Sequence, residues 1–294
     1  MRMTDRMQPV ESKRVRAFRL GLIKLIPKFP NNKASAQSLE EKSLGSLLID
    51  YANWAIRYVA PRPRKVIVEM TASIDPRWVS LKKDIDAFLQ KVERGEDLTP
   101  YLSPKPRTRG YTPAASTSGP DVDRWADKDM LLNAMGYHHF HPSMTVEPAG
   151  FAQPIKEVLF AHVTRDEFTV VGVFDHSVFK SEPWQSLTPE RERLWQIFDE
   201  RLTRHSPHGS VVAAPPIARS GHSVYFTYLA MNYARFISNL DKRVDDPGYI
   251  SSLTAGTGFQ LPTKPKWKWH LQYLDLGLFE KTSNAFLVFG KGPN

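Results

Sequence analysis

The chain has 294 residues, of which 41% are hydrophobic and 11% aromatic, the balance of a folded globular protein. It contains no cysteine, which excludes disulfide bridges, thiolate zinc sites and cysteine nucleophiles. The formal net charge is +9, and most of it falls within residues 1–33, where nine Lys or Arg residues stand beside two acids. A basic segment of this kind attracts phosphate backbones or anionic lipids through its long-range field.

Several common classes of protein are disfavoured by what the sequence lacks. No run of about 18 apolar residues occurs, so a membrane span is not expected. The N-terminus has no uninterrupted apolar stretch typical of a signal peptide, and with the absence of cysteine this predicts a cytoplasmic protein. There is no phosphate-binding loop, dinucleotide fingerprint, nucleophile elbow or zinc-protease motif, and no cofactor is predicted.

The first predicted element is a basic amphipathic helix. Val15, Phe18, Leu22 and Ile26 keep helical spacing among basic residues, and Pro27 ends the pattern. Such a helix suits a membrane surface or a nucleic acid. It is equally suited to docking on the rest of the protein with its arginines in solvent.

Further helices and one strand are predicted before residue 96. The tetrapeptide Ser38-Leu-Glu-Glu41 has the form of a capping box, which predicts a helix from Ser38 to about residue 59. Residues 65–70 have the composition of a strand. Pro76 begins a second helix, and Gly95 follows its end.

Residues 96–121 differ in composition from their neighbours. They include five prolines, two glycines and a cluster of Ser and Thr, which predicts a loop or linker. The predicted organisation is a basic N-terminal segment (1–33), a helical region (34–95), the Pro/Ser-rich linker (96–121) and an α+β domain (122–294) that carries the function.

The second half of the chain mixes helices and strands. A helix at 123–135 leads into a strand, and residues 158–163 and 168–175 give a strong hairpin signal. Helices are predicted from Thr188 and from about Ser223, followed by strands at 267–273 and 285–289. The fold class expected is therefore α+β, an N-terminal helical region followed by a mostly antiparallel sheet packed with helices.

A histidine cluster is the main candidate for chemistry. Three of the nine histidines lie within four residues, and in an extended strand His139 and His141 share one face while His138 points to the other. His176 follows an acid at the end of a predicted strand. Imidazole titrates near neutral pH, so one ring can remove a proton while another supplies one. The predicted catalytic residues are His139, His141 and His176.

Two other interpretations of these histidines remain open. His139 and His141 could bind a metal with His176 or Asp175 as a third ligand, although no metal site is predicted in preference to acid–base catalysis. Alternatively, all of them are half-buried strand residues with a structural role.

Four cationic side chains are candidates for binding nucleic acid: Arg165, Lys266, Lys268 and His270. Of these, Lys266, Lys268 and His270 lie on the polar side of one predicted strand.

The hypothesis that follows is a metal-independent endoribonuclease. Cleavage of RNA through its own 2′-hydroxyl needs an acid, a base and a cation for the phosphate, but no metal. In their compact sheet, scattered histidines and basic charge, these residues resemble small bacterial ribonuclease toxins, and the resemblance implies a toxin or defence effector. The alternative is a non-enzymatic protein that binds nucleic acid or another partner. RNA is the favoured partner, and a protein inhibitor or partner is a further candidate.

Overall fold

The computed structural model describes residues 11–113, 125–180, 186–207 and 209–294. These residues form helices and two largely antiparallel sheets, which confirms the predicted α+β class. The helices are α1 (Lys13–Leu25), α2 (Lys33–Glu40), α3 (Leu44–Ala55), α4 (Met70–Ser73), α5 (Pro76–Ser80), α6 (Lys82–Arg94), α7 (Met130–Met135), α8 (Pro189–Thr203), α9 (Val224–Leu240) and α10 (Pro247–Thr254). The strands are β1 (Lys65–Val68), β2 (Tyr137–Phe140), β3 (Glu157–Val163), β4 (Glu167–Asp175), β5 (Trp267–Gln272), β6 (Asp275–Glu280) and β7 (Ala285–Gly290).

The first sheet has the strand order β1-β4-β3-β2, and β1 pairs with β4 in parallel while the other pairs are antiparallel. Both of its faces are buried, which is why β3 and β4 are almost continuously apolar. One face packs against α6 through Phe88, and the other packs against α8 through Leu194. The strand β2 lies at one edge of this sheet.

The second sheet, β5-β6-β7, belongs to a different core. That core also contains the apolar faces of α1, α3 and α9. On β5 the buried residues are Trp269 and Leu271, so the predicted alternation of an apolar and a polar face is confirmed.

The N-terminal helix is docked on the protein. Val15, Phe18 and Leu22 are buried in the same core as α3 and the second sheet. Arg14 fixes the start of α1 through an ion pair of 2.7 Å with Asp241. Described residues of the predicted regions 1–33, 34–95 and 122–294 therefore contribute to one core, and β1 and β4, from the last two of these regions, pair in one sheet. In the part of the chain that the structure describes, no helix is both long and apolar enough to cross a membrane.

The predicted capping box at Ser38 is wrong. Residues 33–55 form two helices rather than one, and each has its own cap: Asn32 accepts from the amide of Ser35, and Ser43 accepts from that of Ser46. Ser38 lies inside α2 and shares a hydrogen bond of 2.8 Å with the hydroxyl of Tyr111. The helix predicted from Pro76 is likewise divided into α5 and α6, although Gly95 ends it as expected, in the left-handed conformation.

Candidate active site

The histidine stretch is placed by a short helix and a tight turn. The side chain of Asp129 accepts from the amide of Leu132 at 3.0 Å and caps α7. Gly136, with φ of 72°, ends this helix, as the sequence predicted, and lets the chain enter β2 at once. The helix predicted at 123–135 is too long: residues 125–129 are not helical, and residues 123–124 lie outside the described residues. β2 then pairs with β3 and sets the direction of each histidine ring.

A cavity of about 460 Å³ lies where β2 meets the surrounding loops. Its volume is in the range of sites that bind small molecules or single nucleotide units. All three predicted catalytic histidines line it. The cavity is also lined by Arg57, Lys105, Lys128, Asp129, His138, Phe179 and Arg191.

The three histidine rings form a contiguous group in this cavity. His139 and His141 lie on the same side of β2, with ring centroids 6.4 Å apart. The ring of His141 stacks on that of His176 at 5.5 Å. His176 comes from the 3-10 turn His176–Phe179 that follows β4, so residues 35 positions apart in the chain meet here. Phe179 packs edge-on against His139 at 4.8 Å and closes one side of the group.

The ring of His176 is oriented by the backbone. Its Nδ1 lies 2.8 Å from the carbonyl oxygen of Lys156, and since a carbonyl can only accept, Nδ1 carries the proton. In the neutral ring the lone pair is therefore on Nε2. His176 is also exposed at the surface, so this nitrogen can reach a ligand.

His139 and His141 are kept neutral by their surroundings. Burial lowers the pKa of His141 to about 4, and the neighbouring His139 and His176 contribute in the same direction. Burial also lowers the pKa of His139, and Lys105 and Arg57 add to the effect, while Asp129 opposes it. The Nδ1 atoms of both rings are buried and have no hydrogen-bond partner in the described part of the chain. An anionic ligand would favour the protonated form of both rings.

Asp129 is the acidic group that interacts with His139. Its second oxygen, Oδ2, lies 3.6 Å from Nδ1 of His139, slightly beyond hydrogen-bonding distance. The side chain of His139 is 14% exposed, so this interaction takes place in a largely dehydrated setting. The arrangement favours a proton on Nδ1 and leaves Nε2 of His139 as the acceptor.

Cationic side chains surround the same cavity. The guanidinium of Arg57 donates to the carbonyls of Arg109 and Asp127 at 2.6 Å and 3.1 Å, and that of Arg191 donates to the carbonyl of Val178 at 3.0 Å. These bonds orient both groups without neutralising them, and burial lowers the pKa of each. The third cation, Lys105, is exposed at the rim.

Lys128 differs from these cations because its charge is neutralised. Its ammonium forms a buried ion pair of 2.7 Å with the carboxylate of Asp127. His138 is also a structural member of the cavity wall. Its Nε2 donates to the carbonyl of Ile56 at 2.8 Å, and burial lowers its pKa to about 4.

The predicted nucleic-acid-binding residues lie elsewhere. Arg165 is paired with Asp275 through contacts of 2.6 Å and 3.2 Å and also donates to the carbonyl of Gly292. Lys266 precedes β5 of the second sheet, and Lys268 and His270 lie on it. Lys268 covers the ring of Phe279 at 4.6 Å, and His270 packs against the same ring. None of these four residues lines the histidine cavity.

Metal binding gains no support from the geometry. Among the residues with described positions, no three His, Asp or Glu side chains come together in a way that could hold a metal ion. Asp175, the alternative third ligand, instead accepts from the amide of Ser177 at 2.7 Å and caps the turn that carries His176.

Sequence reasoning missed the roles of Arg57, Lys105, Asp129 and Arg191 as parts of the cavity. Asp129 did carry a signal, since an Asp directly before a short apolar run is a typical helix cap. Lys105 lies in the segment predicted as a linker. Arg57 follows an apolar helix, whereas Arg191 lies among charged residues, and no local pattern distinguishes either from a surface arginine.

Comparison with known proteins adds no assignment to this geometry. No protein-family model matches the chain, and no curated protein or solved structure matches it.

Proposed function

We propose that the protein is a metal-independent ribonuclease that cleaves RNA through the 2′-hydroxyl next to the scissile phosphate. One observation carries the proposal: His139, His141 and His176 line one cavity together with Arg57 and Arg191. The histidines supply the groups that move protons, and the arginines supply positive charge for the phosphate. Bidentate guanidinium groups match the geometry of phosphate oxygens.

His176 is assigned as the general base. Its Nδ1–H is held by the carbonyl of Lys156, which leaves the Nε2 lone pair to accept the proton of the 2′-hydroxyl. The 2′-oxygen then forms a bond to phosphorus, and the bond from phosphorus to the 5′-oxygen breaks. The products are a 2′,3′-cyclic phosphate and a free 5′-hydroxyl.

His139 or His141 is assigned as the general acid that protonates the leaving 5′-oxygen. Both rings are neutral near pH 7 in the free protein because burial lowers their pKa. A bound phosphodiester places a negative charge beside them and raises the pKa of each, which loads the proton that the leaving group needs. His139 has additional help from the carboxylate of Asp129.

The test is cleavage of a defined RNA oligonucleotide in EDTA. The expected result is a 2′,3′-cyclic phosphate end, no cleavage at a position carrying 2′-deoxyribose, and a fall on the order of 10²- to 10⁴-fold in His176→Ala. His270→Ala is the matched control, since it removes a half-buried histidine from the second sheet. Equal activity in His176→Ala would reject the assignment. Activity lost in EDTA and restored by zinc or manganese would favour a metal enzyme.

A non-enzymatic role is the second candidate. The packing of His139 against aromatic rings favours it, since histidines with a structural role pack in the same way. The ring centroid of His139 lies 5.8 Å from that of Phe160 and 4.8 Å from that of Phe179. On this reading the wild-type protein binds RNA or a protein partner without cleaving it.

If the nuclease is a toxin acting in the cytoplasm, expression of the wild-type chain should arrest growth and expression of His176→Ala should not.

A further inference from the structure

A second cavity, of about 570 Å³, lies beside the Lys105–Arg107 turn. It is lined by residues 24–31 and by Arg107 and Thr108. Three of the lining side chains are cationic, Lys24, Lys28 and Arg107. Lys24 and Arg107 are exposed, so their charges are available to a ligand.

Two basic segments that are distant in the sequence form this surface. The amide of Phe29 donates to the carbonyl of Tyr111 at 2.8 Å, and the amides of Gly110 and Tyr111 donate to the carbonyl of Pro27 at 2.9 Å and 2.8 Å. These backbone bonds fix the chain after α1 against the chain after the Lys105–Arg107 turn. The backbone positions that carry the cations of both segments are therefore fixed relative to one another.

A single 3-10 turn lies between the second cavity and the histidine cavity. Lys105 and Pro106 line the histidine cavity, and the next residue, Arg107, lines the second one. A chain of phosphates that leaves the histidines past Lys105 and follows this turn would meet Arg107 next. We call the surface formed by Lys24, Lys28, Lys105 and Arg107 the basic track.

Arginine–aromatic pairs border the basic track. The guanidinium of Arg107 lies 3.9 Å from the ring centre of Phe151, and that of Arg109 lies 4.6 Å from that of Phe29. A guanidinium held flat on a ring can present its other face to an unpaired base. Stacking of this kind is a typical feature of proteins that bind single strands.

Two acidic groups of the described residues lie near cations of the basic track. Glu40 interacts electrostatically with Lys28, and Glu147 lies in the turn whose Ala149 carbonyl accepts from Arg107 at 3.3 Å. Neither forms an ion pair with Lys24 or Arg107 in the part of the chain described. The surface therefore keeps a positive balance.

We propose that the basic track binds the continuation of a single-stranded RNA whose scissile phosphate lies in the histidine cavity. The identity of the ligand as RNA rests on the proposed function, while the position of the track rests on its cations and on the Lys105–Arg107 turn, which contributes residues to both cavities. A membrane surface fits less well, because Val15, Phe18 and Leu22, on the apolar face of α1, are buried in the core.

The experiment measures binding without cleavage. Fluorescein-labelled 2′-O-methyl oligouridines of two and twelve nucleotides, which cannot be cut through a 2′-hydroxyl, are titrated with the full chain and followed by anisotropy. For Lys24→Glu/Arg107→Glu we expect at least a tenfold loss of affinity for the 12-mer and little change for the dinucleotide. The slope of log affinity against log salt should fall by about 0.7 for each lost phosphate contact.

The charge-matched control changes two lysines that the sequence analysis predicted to bind nucleic acid. Lys266→Glu/Lys268→Glu makes the same change in net charge on the second sheet, and we expect it to leave 12-mer affinity nearly unchanged. Equal losses in the two double variants would overturn the track, and so would affinity that does not depend on length. Lys24→Gln, at an exposed helix position, keeps the test valid if the double variant fails to fold.

Two further measurements separate this proposal from others. Stronger binding to phosphatidylglycerol vesicles than to the 12-mer, lost in the track variant, would assign the surface to a membrane and overturn the RNA track. RNA that binds along the track but is never cleaved would reject the nuclease chemistry and keep the track. Cleavage of long RNA that is insensitive to Lys24→Glu/Arg107→Glu would keep the chemistry and reject the track.

Discussion

Asp129 uses its two carboxylate oxygens for two different purposes: Oδ1 caps α7 by accepting from Leu132, and Oδ2 lies 3.6 Å from Nδ1 of His139. Burial lowers the pKa of His139, and the charge of Asp129 works against this shift. The same residue therefore places the histidine strand and adjusts the protonation of its central ring.

Asp129→Asn separates the two purposes of this side chain. Asparagine caps helices about as well as aspartate, so the thermal midpoint should change little. Because the negative charge is gone, the pKa of His139 should fall further, and RNA cleavage should drop most on the alkaline side, where the protonated ring is scarcest. Histidine-selective NMR titration measures the pKa directly. Asp246→Asn, at the cap of α10, is the matched control. An unchanged His139 pKa would contradict the assignment.

Binding of a phosphodiester should take up protons. In the free protein His141 has a pKa of about 4 and is neutral near pH 7. A bound phosphodiester raises that pKa, so affinity should increase as the pH falls from 7 towards 5. Calorimetry with a 2′-O-methyl dinucleotide, in two buffers of different ionisation enthalpy, counts the protons taken up. The His141→Asn variant should take up fewer. Affinity that weakens with falling pH would refute this linkage.

Acid should destabilise the fold partly through His138. Burial lowers the pKa of His138 to about 4, against an ordinary value of 6.5, so between these pH values the unfolded chain binds a proton that the folded protein does not. Its contribution to stability is therefore complete above about pH 6.5 and is lost as the pH falls to about 4, by on the order of 3 kcal/mol at most.

His138→Leu tests this contribution. At pH 7.5 this substitution should lower the free energy of unfolding by about 1–3 kcal/mol, because the carbonyl of Ile56 loses its hydrogen-bond donor. Between pH 7.5 and 5, however, its unfolding free energy from urea titrations should fall less than that of the wild-type chain. The exposed His205→Ala should follow the wild-type curve. A variant curve as steep as the wild-type curve would assign the acid sensitivity to other groups.

The sequence predicted the parts of the site that depend on local pattern. The turn at Gly136, the hairpin of β3 and β4, and the shared side of His139 and His141 follow from residue spacing alone, because strand alternation fixes where neighbouring side chains point. That His141 and His176 lie close together is a hypothesis that can be proposed from the sequence but not established from it. It depends on β2 and β4 flanking β3 in one sheet.

The sequence did not reveal contacts between distant segments. Arg165 looked like a free cation, but its partner Asp275 lies 110 residues away. Lys105 looked like part of a linker, although its turn lies between two cavities. The cap at Ser38 failed because Asn32 and Ser43 compete for the same role, and local propensity does not decide between such neighbours.

Two leucines on the N-terminal helix α1 differ in the direction of their side chains: one points into the core and the other towards solvent. Leu22 is 2% exposed in the core, whereas Leu20 is 49% exposed. Leu22→Ala should cost roughly 2–5 kcal/mol of unfolding free energy, and Leu20→Ala should stay within about 0.5 kcal/mol of the wild-type value. Urea titration of both variants measures the difference. Removal of residues 1–33 should then unfold or strongly destabilise the protein, since it deletes Val15, Phe18 and Leu22 together. If both leucine variants were as stable as the wild-type chain, the helix would be a separable basic segment, and its charge alone would account for its role.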